Sequence, residues 1–372
     1  MFARSLQLTI RATPALALWC TRSSSTATPQ PGLPLCFLSA ATLQECVGGP
    51  YKKPFGCEDA YLASSHVLGV ADGVGEWGLK GIDSGRYART LMAGAAAASE
   101  DRRASPLAVL QAAHRSTRVP GSSTALVVLA GQDGTIKSIN VGDSSVQLWR
   151  RSRLATPTIL SLEEAGRLWT CHHSAAITQH VFNTPRQLAA SAHNSDRPTE
   201  GAVAAWPAAG GELLILGTDG LWDNLGEEEV RAVLARFDFT PCQNYARLQR
   251  RRYAELLQEQ ALASRGLGIA QGGAGLPLET RYPIAPAAPV SPLEVADLAA
   301  LCKGQLAGMA AALAMRATQQ SLDATAMVPW ARAAVAAGYT QQRGGKPDDI
   351  TVVCALVTVD PGAVDVLGLG PE

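Results

Sequence analysis

Apolar and polar positions along the chain predict short strands and helices in mixed order. Residues 124–130 and 135–141 are rich in β-branched side chains and flank an Asp-Gly turn dipeptide, which predicts a β-hairpin. The apolar runs 212–216 and 350–357 predict buried strands. Further strands are expected at 60–64, 67–71 and 145–150.

Helices are predicted where apolar residues recur every three or four positions. In residues 82–98, Tyr87, Leu91 and Ala95 share one face of such a helix. Further helices are expected at 106–114, 227–236, 245–264, 293–316 and 328–337, and irregular loops at 154–197. Strands and helices do not alternate regularly, which favours an α+β layered fold over a doubly wound sheet.

The N-terminal segment differs from the rest of the chain. Residues 1–44 contain no Asp or Glu; Arg4 and Arg11 share a helical face, and a Ser/Thr-rich stretch follows. This composition predicts a disordered organelle transit peptide, mitochondrial or plastid, with a merely disordered tail as the alternative. The folded domain is then expected at 45–360, with a Gly/Pro/Ala-rich insertion at 266–292 and a C-terminal tail at 361–372.

Composition narrows the class of function. The apolar fraction of 47% is enough for a core, and the net charge of zero argues against a nucleic-acid partner. The eight cysteines form no CxxC pair, so free thiols are expected instead of a zinc site. No uncharged apolar stretch of about 18 residues lies in the expected folded part, so no integral membrane segment is predicted.

Acidic residues stand at the ends of several predicted strands. Each Asp-Gly or Asp-Asp pair taken alone is an ordinary turn or cap. Together, carboxylates that converge at one edge repel one another unless a cation neutralises them, and oxygen ligands suit Mg²⁺ or Mn²⁺. Two such ions can clamp a phosphate and activate a water molecule. The acids in question are Glu58, Asp59, Asp72, Asp143, Asp219 and Asp348.

An ordered set of motifs makes the chain recognisable. EDA, VADGVG, GSSTA, NVGDS, TDGLWDN and GGKPDDITVV occur in that order between Gly56 and Leu356. The chain thereby resembles the metal-dependent type 2C serine/threonine protein phosphatases. DGVGEW, QHVFNTP and GGKPDDIT resemble the mitochondrial, T-cell activation phosphatase 2C-like branch of that family.

The resemblance implies a fold and a role for each acid. The fold is a four-layer α/β/β/α sandwich of two antiparallel sheets flanked by helices, with the metal centre at one end. Asp72 would bridge two Mn²⁺ or Mg²⁺ ions and, with Asp219, carry catalysis. The Gly73 carbonyl would bind one of these two ions. The remaining implied ligands are Asp219 and Asp348 at the first metal, Glu58 and Asp59 at the second, in part through water, and Asp143 with Asp219 at a weaker third metal.

Three positions depart from the family pattern. Val74 stands where many members have a histidine proposed to protonate the leaving group. The arginine that often precedes the ED motif is absent, and Lys52 or Lys53 is the expected phosphate-binding substitute. Asp349 stands where many members have asparagine.

The resulting hypothesis is a phosphatase that hydrolyses phosphoserine and phosphothreonine in phosphoprotein substrates. The main alternative is a non-catalytic relative that binds a phosphoprotein or regulates a partner. Loss of core acids would be the sign of such a relative, and none is lost. A metal-binding structural protein without phosphate chemistry is the third reading.

Overall fold

Two antiparallel five-stranded sheets form the centre of the fold. The computed structural model describes residues 32–46, 55–152, 160–190, 195–267, 292–339 and 343–363. The strands are β1 Leu35–Gln44, β2 Asp59–Ala63, β3 Val67–Asp72, β4 Ser122–Ser123, β5 Ala125–Ala130, β6 Thr135–Val141, β7 Ser145–Arg151, β8 Trp169–Ser174, β9 Gln179–Val181, β10 Thr184–Pro185, β11 Leu188–Ala189, β12 Ala202–Pro207, β13 Leu213–Gly217 and β14 Ile350–Val359.

Each sheet has a simple strand order. The first sheet runs β1-β14-β13-β7-β8 and the second runs β12-β6-β5-β3-β2, and all neighbouring strands are antiparallel. The pairs β9–β10 and β4–β11 form two small additional ladders. The helices are α1 Ser84–Ala98, α2 Pro106–Ser116, α3 Leu162–Arg167, α4 Asp219–Trp222, α5 Glu227–Leu234, α6 Thr240–Leu267, α7 Pro292–Ser321 and α8 Pro329–Ala336.

Three buried clusters define the layers. The inner faces of the two sheets pack on each other through residues such as Val70, Leu126, Leu148 and Val353. The outer face of the second sheet packs on α1 and α2, and that of the first sheet packs on α5, α6 and α7. The predicted four-layer sandwich of two antiparallel sheets between helices is therefore confirmed.

Strand β1 corrects the predicted start of the folded domain. It pairs with β14 along its whole length, from Leu35 opposite Val359 to Gln44 opposite Ile350. Leu35 and Phe37 are buried between the sheets. The assignment of residues 1–44 to a disordered transit peptide is thus wrong for 35–44, because the strand's Ser, Ala and Thr residues give little apolar contrast.

The region 154–197 also differs from the prediction of irregular loops. It contains α3, which begins with a capping box between Ser161 and Glu164, and β8, which pairs with β7. The strand was missed because only Trp169 and Cys171 are apolar in its sequence, WTCHHS. Residues 153–159 and 191–194 lie outside the described part of the chain.

Helix α7 packs against the first sheet. By length and composition the span Leu293–Ser321 could cross a membrane. Its buried face, which includes Leu306, Met309 and Leu313, belongs to the core under the sheet. Cys302 on this helix lies with its sulfur 2.8 Å from that of Cys242 on α6, and both are free thiols. The absence of a membrane segment stays a prediction.

The predicted insertion and tail fall largely outside the described residues. Helix α6 ends at Leu267 and α7 begins at Pro292, so the structure describes only the edges of the expected insertion at 266–292. Of the expected tail at 361–372, residues 364–372 lie outside the described part, as do residues 1–31 of the predicted transit peptide.

Candidate active site

The end of the β2–β3 ladder places two aspartates side by side. Asp59 and Asp72 are direct cross-strand partners, so their side chains project on the same face. The Gly73 amide donates to the Glu58 carbonyl over 3.1 Å, which extends the ladder by one residue. Two like charges this close are costly without a neutralising cation.

The GSSTA motif fixes the backbone of Asp72. The Asp72 amide donates to Thr124 Oγ1 over 3.0 Å, and the Thr124 amide donates to the Asp72 carbonyl over 2.9 Å. Thr124 Oγ1 also lies 3.1 Å from Ser144 Oγ, beside the NVGDS motif. These hydrogen bonds fix the backbone of Asp72, so its carboxylate is held at the end of the sheet.

Glycines around Asp72 allow the chain to approach closely. A Cβ on Gly73 would lie 2.8 Å from the Glu58 carbonyl oxygen and from backbone atoms of Ser84. A Cβ on Gly75 would lie 3.1 Å from the Glu58 carboxylate. The VADGVG motif therefore makes room for Glu58, which is buried and accepts a hydrogen bond from Ser84 Oγ over 3.2 Å.

Thr218 connects the two sheets at the site. Its hydroxyl donates to Asp59 Oδ2 over 2.8 Å and accepts from the Thr351 amide over 3.1 Å. The next residue, Asp219, opens the short helix α4. A Cβ on Gly220 would lie 2.0 Å from the Asp349 carbonyl oxygen, so the TDG motif needs glycine there.

The two neighbouring aspartates before β14 have different surroundings. Asp349 is 1% exposed, and its carboxylate accepts from the Cys46 and Glu58 amides, each over 2.8 Å. Asp348 is partly exposed, and its Oδ1 accepts from the Asp349 amide over 2.9 Å. Asp349 thus holds the start of β2, whereas Asp348 faces the other acids.

Asp143 reaches the site from a turn after β6. Asn140 shapes this turn, since its side-chain amide donates to the Ser144 carbonyl over 2.6 Å and to the Ala176 carbonyl over 3.0 Å. Gly142 in the turn has a φ of 112°, which favours glycine. Gln179 Nε2 donates to Asp143 Oδ2 over 3.4 Å and ties the turn to the β9–β10 hairpin.

The sequence prediction gave no role to Asp223 and Lys346, which also lie at the site. The Lys346 ammonium contacts Asp219 Oδ2 and donates to Asp223 Oδ2 over 2.8 Å. Asp223 lies four residues after Asp219, so both carboxylates reach the same side of α4. Lys346 lies inside the GGKPDD motif, which could have drawn attention to it. A positively charged lysine is not a metal ligand, so no role at a metal site was predicted for it.

The carboxyl groups of the site raise one another's pKa values. Burial raises the pKa of Asp72 well above its usual range, and the charges of Asp219, Asp59, Asp348 and Asp143 raise it further. Burial raises the pKa of Asp59 in the same way, with Asp349 adding to it. These directions show that the carboxylates share one enclosed space.

Beside Lys346, the pKa of Asp219 shifts in the opposite direction from that of Asp72 and Asp59. Burial raises the pKa of Asp219, but the Lys346 charge and the hydrogen bonds to the carboxylate together outweigh burial, and the net shift is downward. Burial raises the pKa of Asp143 and of Asp223 to about 7, although Lys346 opposes both shifts. The pKa of Lys346 itself lies above its usual range because the carboxylates outweigh its burial.

A groove of about 440 Å³ opens next to the acids. Its lining includes the acids Asp143 and Asp223 and the apolar side chains of Ile177, Phe182 and Trp330. Trp330 Nε1 donates to Asn183 Oδ1 over 3.1 Å, which docks the β9–β10 hairpin on α8. The groove therefore joins the acid cluster to a wall of large apolar side chains.

The donor set fits a hard divalent cation. Within the described ranges, no three His, Cys, Asp or Glu side chains already surround one point as metal ligands. However, Asp59 Oδ1 and Asp219 Oδ1 are buried and have no hydrogen-bond partner among the described residues. Buried carboxylate oxygens without donors are the ligands that Mg²⁺ and Mn²⁺ require.

The structure brings the predicted acids together at one end of the sandwich. They sit where β2 begins, where β3, β6 and β13 end, and where β14 begins. Lys52 and Lys53 lie outside the described residues, and Val74 follows the site with its amide bonded to the Ser122 carbonyl over 3.0 Å. The predicted residues so placed are Glu58, Asp59, Asp72, Gly73, Asp143, Asp219 and Asp348.

Comparison with known proteins decides the family. No family model matches the chain. It is 31% identical over 310 residues to "Protein phosphatase PTC7 homolog fig" of Drosophila grimshawi, which covers 79% of this chain and 76% of that protein. The chain belongs to the type 2C protein phosphatase family. The family predicted from the motifs is thereby confirmed, and the likeness to a PTC7 homologue is consistent with the predicted branch.

In other type 2C phosphatases, the region that matches this chain is a smaller part of the relative's own length. The chain is 36% identical over 190 residues to "Probable protein phosphatase 2C 55" of Arabidopsis thaliana, covering 50% of this chain and 37% of that protein. Among solved structures, the photosystem II phosphatase PBCP aligns with a TM-score of 0.59 at 21% identity, over 87% of this chain and 100% of that one. The structural match shows the type 2C fold.

Proposed function

We propose that the chain is a metal-dependent protein phosphatase that hydrolyses phosphoserine and phosphothreonine. The observation that carries this proposal is the convergence of Asp59, Asp72, Asp219 and Asp348. Among them, Asp59 Oδ1 and Asp219 Oδ1 are buried and have no hydrogen-bond partner among the described residues. Family membership supports the reaction type. The intact acid set argues against the non-catalytic alternative.

Each acid has a role in this proposal. When bound, two divalent cations would activate a water molecule and neutralise the phosphate charge. Asp72 would bridge both ions, held in place by Thr124, and Asp219 and Asp348 would bind the first. Glu58, Asp59 and the Gly73 carbonyl would complete the ligand set, and Lys52 or Lys53 would bind phosphate.

Leaving-group protonation falls to a group other than residue 74. Val74 has no proton to give, so the side chain that many relatives use is absent. Solvent at the open groove can supply that proton, because a serine or threonine leaving group there faces water. The reaction would then depend less on a second titrating group than in relatives that carry histidine.

The groove supports a peptide substrate. Ile177, Phe182 and Trp330 line the same groove as Asp143 and Asp223, so a peptide whose phosphate lies at the acids would contact these apolar side chains. Large apolar side chains are the typical anchors of peptide recognition. We infer that residues flanking the phosphorylated position contact this wall.

The test is hydrolysis by the purified chain. With Mn²⁺ or Mg²⁺ it should release inorganic phosphate from a phosphothreonine peptide; excess EDTA should stop the release, and inorganic phosphate should inhibit it. Peptide binding without turnover would favour the non-catalytic alternative, and turnover in EDTA would contradict the metal-dependent reaction. Metal binding without phosphate inhibition or turnover would favour the structural reading.

A groove variant separates peptide recognition from chemistry. Trp330→Ala removes a wall residue but no acid, so kcat/KM for the peptide should fall roughly tenfold while turnover of p-nitrophenyl phosphate is retained. Leu162→Ala, at an exposed apolar residue outside the groove lining, serves as the control. An equal loss with both substrates would contradict the peptide-binding role of the groove.

The mitochondrial address, with a plastid as the alternative, stays a prediction. Because β1 begins at Leu35, a leader is expected to end before that strand. A fluorescent fusion of residues 1–34 should therefore enter mitochondria, and a cytosolic signal would contradict the address.

A further inference from the structure

Lys346 places a positive charge inside the acid cluster. Its Nζ contacts Asp219 Oδ2 and lies 2.8 Å from Asp223 Oδ2 and 3.9 Å from Asp348 Oδ2. The side chain is 20% exposed, so most of it lies against the protein. An ordinary surface lysine would leave its ammonium in water.

The backbone of Lys346 is held by a buried side chain. The Lys346 amide donates to Asn224 Oδ1 over 3.0 Å, and Asn224 Nδ2 donates to the Lys346 carbonyl over 2.9 Å. Asn224 is 0% exposed and also donates to the Gly220 carbonyl over 2.9 Å. The TDGLWDN motif thus fixes Lys346 relative to Asp219 and Asp223.

The glycines before Lys346 fix it from the other side. The Gly344 amide donates to the Ala326 carbonyl and the Gly345 amide to the Asp323 carbonyl, each over 2.9 Å. A Cβ on Gly345 would lie 2.1 Å from the Gln320 carbonyl oxygen, so no larger residue fits. The loop is therefore built to present the ammonium at one point.

The two oxygens of Asp219 have different partners. Oδ2 binds the Lys346 ammonium, whereas Oδ1 is buried and has no hydrogen-bond partner among the described residues. Oδ1 can therefore bind a metal while Oδ2 stays with Lys346. Asp223 Oδ2 is bound to the same ammonium, and Asp143 lies within electrostatic reach of both aspartates.

We propose that Lys346 is a tethered cation that takes the place of a third metal ion between Asp219 and Asp223. The third metal expected at Asp143 and Asp219 is then replaced by a side chain. The remaining carboxylates serve the two metals of the proposed centre. This inference rests on that metal centre but does not depend on phosphatase activity.

The experiment measures metal binding without substrate. Metal-free wild type, Lys346→Met and Lys346→Arg are titrated with Mn²⁺ in a calorimeter, and their thermal unfolding is recorded in EDTA. Lys346→Met keeps the length of the side chain and removes its charge. The Lys346→Met protein should bind one Mn²⁺ more than wild type, or bind its weakest Mn²⁺ at least about tenfold tighter. When metal-free, it should unfold at a lower temperature than wild type. Lys346→Arg should resemble wild type.

A compensating variant guards against a folding defect. Lys346→Met combined with Asp223→Asn removes both the ammonium and the carboxylate it neutralises. This double variant should regain metal-free stability and lose the additional or tightened Mn²⁺. If Lys346→Met binds Mn²⁺ as wild type does, the inference is overturned even when stability falls, because the lysine would then be a structural ion-pair partner only.

The arginine variant supplies the second decisive result. If Lys346→Arg behaves like Lys346→Met, positive charge at this point is not what excludes the metal, and the inference is overturned. The Mn²⁺ result also separates this idea from the proposed function. A charge-dependent change in Mn²⁺ binding supports the tethered cation even if none of the proteins releases phosphate.

Discussion

Asp72→Asn is expected to lower kcat/KM for a phosphothreonine peptide by roughly 1000-fold. The variant keeps the shape of the side chain but weakens the ligand proposed to bridge both metals. Metal-assisted charge stabilisation is worth several kcal/mol, and about 4 kcal/mol corresponds to that loss. The measurement is initial-rate kinetics in saturating Mn²⁺, and a residual rate above a tenth of wild type would contradict the bridging role.

The same variant should be more stable than wild type when metal-free. Burial and four neighbouring carboxylates raise the folded-state pKa of Asp72 above its usual 3.8. When the pKa of a carboxyl group is higher in the folded than in the unfolded state, its contribution to stability is fully present below the unfolded-state pKa. That contribution is lost as the pH rises through the folded-state pKa. Asparagine does not titrate, so the gain in unfolding temperature in EDTA should grow as the pH rises above the usual carboxyl pKa of 3.8.

A second Asp-Gly dipeptide provides the matched control. Asp133 precedes Gly134 in the β5–β6 turn, where it is 52% exposed and pairs with Lys137. Asp133→Asn should leave both the peptide kinetics and the metal-free pH dependence close to wild type. If Asp72→Asn instead lowers metal-free stability, its loss of activity would reflect misfolding.

The acid cluster was predictable because its members stand at the ends of strands, some just before a strand and some just after one. Motifs such as VADGVG and TDGLWDN place an acid and a glycine after an apolar run, and glycine explains how the backbones approach. The positioning residues were harder to find. Thr218 and Asn224 act through bonds to residues far along the chain, Asp59 and Lys346, and no local pattern reports such pairing.

The fold was predictable where apolar contrast is strong. Hairpin β5–β6 and strands β13 and β14 carry continuous or alternating apolar residues, and the structure has them within a few residues of the expected bounds. Strand β1 was missed because its stability comes from pairing with β14, more than 300 residues away. Long-range pairing overrides weak local propensity in such strands.

Asp349→Ala and Asp348→Ala should have opposite consequences although the residues are neighbours. Asp349 accepts from the Cys46 and Glu58 amides at a fully buried position, so its removal leaves a buried and a partly buried donor without their acceptor. Each such donor costs about 1–3 kcal/mol, which predicts a loss of roughly 3 kcal/mol in the free energy of unfolding. Asp348 is 26% exposed and lies among other acids, so its removal should cost less than about 1 kcal/mol.

Catalytic activity should fall more in Asp348→Ala than in Asp349→Ala, the reverse of the expected order of their losses in stability. Asp348→Ala removes a proposed metal ligand, so its kcat/KM should fall by at least about 100-fold although the protein stays folded. Asp349→Ala should retain more activity per folded molecule, since it positions the start of β2 without binding metal. Urea unfolding in EDTA and kinetics in Mn²⁺ at low temperature measure the two effects. If Asp349→Ala loses activity without losing stability, the metal ligand in this pair is Asp349, and the family register that selects Asp348 does not hold in this chain.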